Sequence, residues 1–178
     1  MTKSLLLLGG ARSGKSRFAQ QLAEASGRSP VLIATAEALD EEMADRITSH
    51  AASRGERWTL IEEPVALTAV LGREARADRI LVIDCLTLWL SKLILEKADV
   101  AGAARELAGS IGALAGPVIF VSNEVGLGIV PENVLARRFR DEQGRLNQAM
   151  AAACEAVVLV TAGLPLCLKP SPGARIFF

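Results

Sequence analysis

Gly9-Gly10-Ala11-Arg12-Ser13-Gly14-Lys15-Ser16 fits the pattern G-x-x-x-x-G-K-[ST] of a phosphate-binding loop. Its flanks decide the fold. Ser4-Leu5-Leu6-Leu7-Leu8 before it is a short apolar run suited to a buried parallel strand, and Arg17-Phe18-Ala19-Gln20-Gln21-Leu22-Ala23 after it has helical spacing. Strand, glycine loop and helix therefore follow in the order that a nucleotide site requires. Glycines let backbone N–H groups turn toward an oxyanion, and the following helix brings the positive end of its dipole to the same point. In such a loop Lys15 bridges the β and γ phosphates and the Ser16 hydroxyl holds Mg²⁺.

Outward from the loop, apolar runs alternate with helical patterns. Strands are expected at 30–34, 58–61, 79–84, 117–122 and 156–161, with a short extension at Leu166-Cys167-Leu168. Helices are expected from Leu39 to Arg54, from Pro64 to about Arg76, from Leu86 to Lys97, from Asp99 to Leu114 and from Glu132 to Ala153. This alternation predicts an α/β chain with a mostly parallel central sheet flanked by helices. With the glycine loop added, the expected fold is that of a P-loop NTPase, RecA-like. A chain of 178 residues without an internal repeat or low-complexity linker reads as one domain, 1–178.

Four apolar residues, Ile80 to Ile83, run into Asp84, as in a strand that sets a carboxylate beside the loop's Mg²⁺. A buried strand can also end in Asp simply because the chain turns there. It is the pairing of Asp84 with the glycine loop that makes Ser16 and Asp84 the expected metal ligands.

Composition narrows the partners. Lys plus Arg equal Asp plus Glu at 20 each, so no broad field favours nucleic acid or an anionic membrane. No apolar run approaches the roughly 18 residues of a membrane span, and Leu5 to Leu8 is too short for a signal-peptide core, so a cytoplasmic protein is expected. Cys85, Cys154 and Cys167 lack C-x-x-C spacing and lie in or beside apolar runs, which reads them as small core residues. A 51% hydrophobic content is high for a soluble monomer and predicts surface buried between subunits. The guanine-reading N-K-x-D pattern is absent, because Asn123 is followed by Glu124-Val125-Gly126. The one histidine, His50, follows Ile47 by three residues, which alone favours a half-buried histidine on an amphipathic helix.

Several motifs together resemble one family. They are Gly9 to Ser16 with Arg12 inside the loop; Glu41, Met43, Arg46 and Ile47 before His50; and Trp58 with Glu62-Glu63-Pro64. Asp84-Cys85-Leu86-Thr87 and the run Ser122-Asn123-Glu124-Val125-Gly126-Leu127-Gly128-Ile129-Val130-Pro131 add to them, as do Asn133, Arg137, Phe139-Arg140-Asp141, Gly144-Arg145 and Asn147-Gln148. The chain resembles the bifunctional adenosylcobinamide kinase / adenosylcobinamide-phosphate guanylyltransferases of cobalamin biosynthesis over almost its whole length.

The resemblance implies two reactions. A γ-phosphoryl group passes from ATP or GTP to the hydroxyl of adenosylcobinamide, and GMP from GTP is then placed on adenosylcobinamide phosphate. It makes His50 the guanylylated nucleophile, a role open to a neutral imidazole with an ordinary pKa near about 6.5. It also assigns Gly9, Gly10, Ala11, Arg12, Ser13, Gly14, Lys15 and Ser16, together with Ala34, Thr35, Ala36, Ala51, Ala52, Ser53, Arg54, Glu62 and Asp84, to the guanine-nucleotide site. Ala51 and Gly55 depart from the family pattern, where a basic residue and a proline are common. A homo-oligomer, in this family a trimer, is implied as well. Two other classes share the fold: a simple small-molecule P-loop kinase that forms no covalent nucleotide adduct, and a RecA-like ATPase acting on nucleic acid.

Overall fold

A computed structural model describes residues 2–36 and 57–170. The expected helix from Leu39 to Arg54 therefore lies outside the described residues. Seven strands form one sheet: β1 (Ser4–Gly9), β2 (Ser29–Ala34), β3 (Thr59–Glu62), β4 (Arg79–Asp84), β5 (Val118–Asn123), β6 (Ala156–Thr161) and β7 (Leu164–Lys169). The described helices are α1 (Lys15–Ala25), α2 (Leu67–Glu74), α3 (Leu86–Leu95), α4 (Val100–Ser110) and α5 (Val134–Ala153). The spatial order is β3-β2-β4-β5-β1-β6-β7, parallel throughout except for the antiparallel β6–β7 hairpin.

The central strands are apolar on both faces because helices cover both. On one face Leu6, Ile33, Ile83 and Phe120 pack with Leu71 of α2, Trp89 and Leu90 of α3, Leu107 of α4 and Met150 of α5. On the other, Leu7, Leu32, Val82 and Val121 meet Ala19 and Ala23 of α1. Successive strand residues thus alternate between two separate cores, as a period of two requires. Trp89 is buried with its indole N–H donating to the Val65 carbonyl at 2.8 Å, so the ring carries no unpaired donor into the core.

Strands β4 and β6 fall where the sequence predicts them, and the differences elsewhere have local causes. The helix expected from Pro64 begins at Leu67, because the Glu63 carboxylate accepts from the N–H groups of Val65 and Ala66 and holds a turn before it. The stretch Asp99 to Leu114 is not one helix: α4 ends at Ser110 and tightens into a 3-10 turn at Ile111–Ala113. The short extension around Cys167 is a six-residue strand, β7. Cys85 and Cys154 are buried as expected, but Cys167 is exposed. It sits on the outermost strand, which among the described residues pairs only with β6 and exposes Leu164, Leu166 and Leu168 as well.

Candidate active site

The parallel strands β1 to β5 end along one edge of the sheet, and the site is built there. The loop Gly10–Gly14 leaves β1 and enters α1 directly at Lys15. Gly14 has φ +99°, and a side chain there would press on Gly163 Cα at 3.1 Å. A Cβ on Gly9 would run into the Val160 carbonyl and the Ser13 hydroxyl. Arg12 is exposed with φ +56°, a left-handed conformation uncommon for a residue with a side chain.

Neighbouring connections fix the loop from both sides. Glu124 N–H, just after β5, donates to the Gly9 carbonyl at 3.0 Å, and Gly163 N–H, in the β6–β7 turn, donates to the Ser13 carbonyl at 2.8 Å. Lys15 is 6% exposed, with Nζ donating to the Gly10 carbonyl at 2.7 Å. Burial lowers its pKa from the usual 10.5, opposed by Cys85, to the extent that its thiol ionises, and by the negative charge of Asp84. Burial chiefly, and then Asp84, raise the Cys85 thiol. Cys85 is therefore neutral at pH 7, and Asp84 is the charge that Lys15 feels. Ser13 Oγ is buried with no hydrogen-bond partner. A buried hydroxyl left open in a glycine-rich turn at the start of a helix fits an anion that supplies the missing acceptor. Ser16, half-buried at the start of α1, and Asp84, half-buried at the end of β4, supply the hard oxygen donors that suit Mg²⁺.

The other expected residues lie along the same edge. Glu62, Ala34 and Asp84 are in register across β3, β2 and β4. Asp84 is two strands from Gly9 and Glu62 four, or about 10 and about 19 Å at the usual strand spacing. Ala34 is buried, Ala36 half-buried and Glu62 exposed. Thr35 is buried, and its hydroxyl is already engaged: it donates to the Cys85 carbonyl at 2.6 Å and accepts from Cys85 N–H at 2.9 Å. Thr35 therefore holds the turn after Asp84 in place. His50, Ala51, Ala52, Ser53 and Arg54 lie outside the described residues.

A brace beneath the site is not legible in the motifs. Thr87 Oγ1 accepts from Asn123 N–H at 2.8 Å, and Asn147 Nδ2 donates to the Asn123 carbonyl at 3.0 Å, so both backbone polar groups of that residue are held by side chains. Ser122 donates to Asn147 Oδ1 at 2.7 Å, and Gln143 Nε2 donates to Ser122 Oγ and to Asn147 Oδ1. The only sequence signal is polar residues four apart, Gln143 and Asn147, on the buried side of α5.

The family model described as cobinamide kinase / cobinamide phosphate guanyltransferase matches residues 5–168. A Pseudomonas aeruginosa protein named bifunctional adenosylcobalamin biosynthesis protein CobP is 51% identical over 94% of this chain and 98% of its own. Proteins named bifunctional adenosylcobalamin biosynthesis protein CobU from Salmonella typhimurium and Escherichia coli are 38% and 34% identical, each over 93% of this chain and 99% of theirs. Among solved structures, flagellar accessory protein FlaH from Methanocaldococcus jannaschii matches at TM-score 0.53 and 14% identity, covering 98% of this chain and 82% of that one. An ATPase of the type III secretion system matches at TM-score 0.55 and 9% identity, over 89% of this chain and 51% of that one. The two structural likenesses carry the P-loop NTPase fold and nothing finer. The sequence matches carry the activity: the chain belongs to the cobinamide kinase / cobinamide phosphate guanyltransferase family, a bifunctional enzyme of cobalamin biosynthesis.

Proposed function

We propose that the enzyme first transfers the γ-phosphoryl group of ATP or GTP to adenosylcobinamide, then GMP from GTP to the new phosphate, through a GMP adduct on His50. In the first step the acceptor hydroxyl oxygen bonds to Pγ, the bridge to the β-phosphate breaks, and the nucleoside diphosphate leaves as the hydroxyl proton is lost. In the second, an imidazole nitrogen of His50 bonds to Pα of GTP and pyrophosphate leaves. In the third, a phosphate oxygen of adenosylcobinamide phosphate takes Pα, releasing His50 and forming adenosylcobinamide-GDP.

The observation that carries the phosphoryl-transfer half is the buried Lys15 ammonium beside the open Ser13 hydroxyl, within the field of Asp84. The loop amides and Lys15 offset phosphate charge as it builds up on the leaving group. Mg²⁺, held by Ser16 and Asp84, would supply charge neutralisation between the phosphates. Gly9 to Ser16 hold the triphosphate, while Ala34 to Ala36, Ala51 to Arg54 and Glu62 form the guanosine end. Glu62 presents an exposed carboxylate in register with Ala34, suited to accept from a ribose or a base. The working form is a cytoplasmic homo-oligomer, a trimer; among the described residues no helix is long and apolar enough to cross a membrane.

Incubation with GTP labelled at the α-phosphate, followed by denaturing electrophoresis, tests the adduct. The expected result is an acid-labile, alkali-stable label on the wild type that His50→Ala lacks. An unlabelled wild type that still binds GTP would leave a simple P-loop kinase.

A further inference from the structure

The connection from β5 to α5, Glu124 to Asn133, is pinned at both ends and apolar on its outside. At its start Glu124 N–H is bonded to Gly9, and the Glu124 carboxylate accepts from Gly126 N–H at 2.7 Å. At its end Arg137 Nη1 donates to the carbonyls of Pro131 at 2.9 Å and Glu132 at 2.6 Å, and Asn133 caps α5 through the N–H groups of Leu135 and Ala136. A connection so well fixed nonetheless exposes Leu127 at 90%, Ile129 at 97%, Val130 at 58% and Val134 at 72%. Several large apolar side chains exposed side by side are a mark of a binding surface.

Its position says what binds. Strand β5 lies between β1, which carries the phosphate loop, and β4, which carries Asp84. Asp84 ends β4, the strand next to β5, so the acid expected to face a triphosphate on the loop stands on this side. At about 3.5 Å per residue, Leu127 stands within roughly 10 Å of Glu124, and Glu124 touches the loop at Gly9. The other apolar flank, Leu164 after Gly163, touches the loop at Ser13 from the β6 side, away from Asp84.

We propose that the Glu124–Asn133 connection, with Val134 at the start of α5, is the platform on which the corrinoid acceptor sits. A corrin ring offers broad apolar faces and methyl edges for Leu127, Ile129, Val130 and Val134, and its amide fringe matches the peptide groups of an exposed loop. The acceptor hydroxyl then meets the γ-phosphate from the Asp84 side. This inference rests on the activity proposed above.

The test uses full-length enzyme, adenosylcobinamide as the probe, and the double variant Leu127→Ser/Ile129→Ser, whose two sites are exposed and make no contribution to the core. The KM for adenosylcobinamide should rise about tenfold or more, with the triphosphate KM and the solution mass unchanged. Leu166→Ser on the β7 side should leave the corrinoid KM within about twofold of wild type. An unchanged corrinoid KM in the double variant, an equal rise in Leu166→Ser, or a fall in solution mass showing that this face joins copies of the chain would each overturn the platform. A wild type that transfers no phosphate to adenosylcobinamide would instead sink the proposed activity on which it rests.

Discussion

Lys15 is the residue at which burial and function oppose each other. Burial disfavours its charge, and a bound triphosphate restores that charge, so binding raises the pKa above its value in the free enzyme. The nucleotide complex therefore holds more protons than the free enzyme above that free pKa. Affinity for ATP should be flat at lower pH and should fall as pH rises through the free-enzyme value, which lies below 10.5. Titrating the ATP Kd against pH checks this, and in Lys15→Arg the fall should vanish because a guanidinium does not titrate there. Lys15→Ala should cost about a hundredfold or more in kcat for phosphoryl transfer while the protein stays folded by circular dichroism. The residue identities were readable from the motif. The engagement of Thr35 was not, because a hydroxyl that bonds across fifty residues of sequence leaves no local pattern.

At the scale of elements, α5 is the support beneath the site. Its buried Gln143 and Asn147 tie it to Ser122 and Asn123 at the end of β5, and β5 ends where the phosphate loop and the apolar connection both begin. Asn147→Leu would leave the Asn123 carbonyl without its side-chain donor and the buried Ser122 hydroxyl without its acceptor, with only the Gln143 amide still bonded to it. It should cost about 1–3 kcal/mol in urea unfolding with an unchanged m-value. Should the cost stay within about 0.5 kcal/mol, these bonds contribute little and the brace is mainly apolar packing. The strands were legible because a parallel strand covered on both faces must be continuously apolar. Helix ends were less so: the turn that the Glu63 carboxylate holds and the change to a tighter turn at Ile111 are decided by one or two hydrogen bonds that apolar periodicity does not encode.

Across the whole molecule, position in the sheet sorts residues that look alike in sequence. Cys85, Cys154 and Cys167 each lie in or beside an apolar run, yet Cys154 is buried with its pKa pushed up to about 12 and Cys167 is exposed on an edge strand. Under native conditions a thiol reagent should modify one cysteine per chain quickly, and Cys167→Ser should abolish that phase. Fast modification of two thiols would mean that a buried one opens readily. By itself the sequence determined the phosphate loop, the alternation of strands and helices, the acid at the end of β4 and the family, because each is written in local spacing or in residue identity. The tertiary structure decided the rest: the strand order that brings Asp84 and Glu124 to the loop, the register that lines up Glu62, Ala34 and Asp84, and the brace from α5. Those relations join residues tens of positions apart, and only the packing of helices on both faces of the sheet selects one such arrangement.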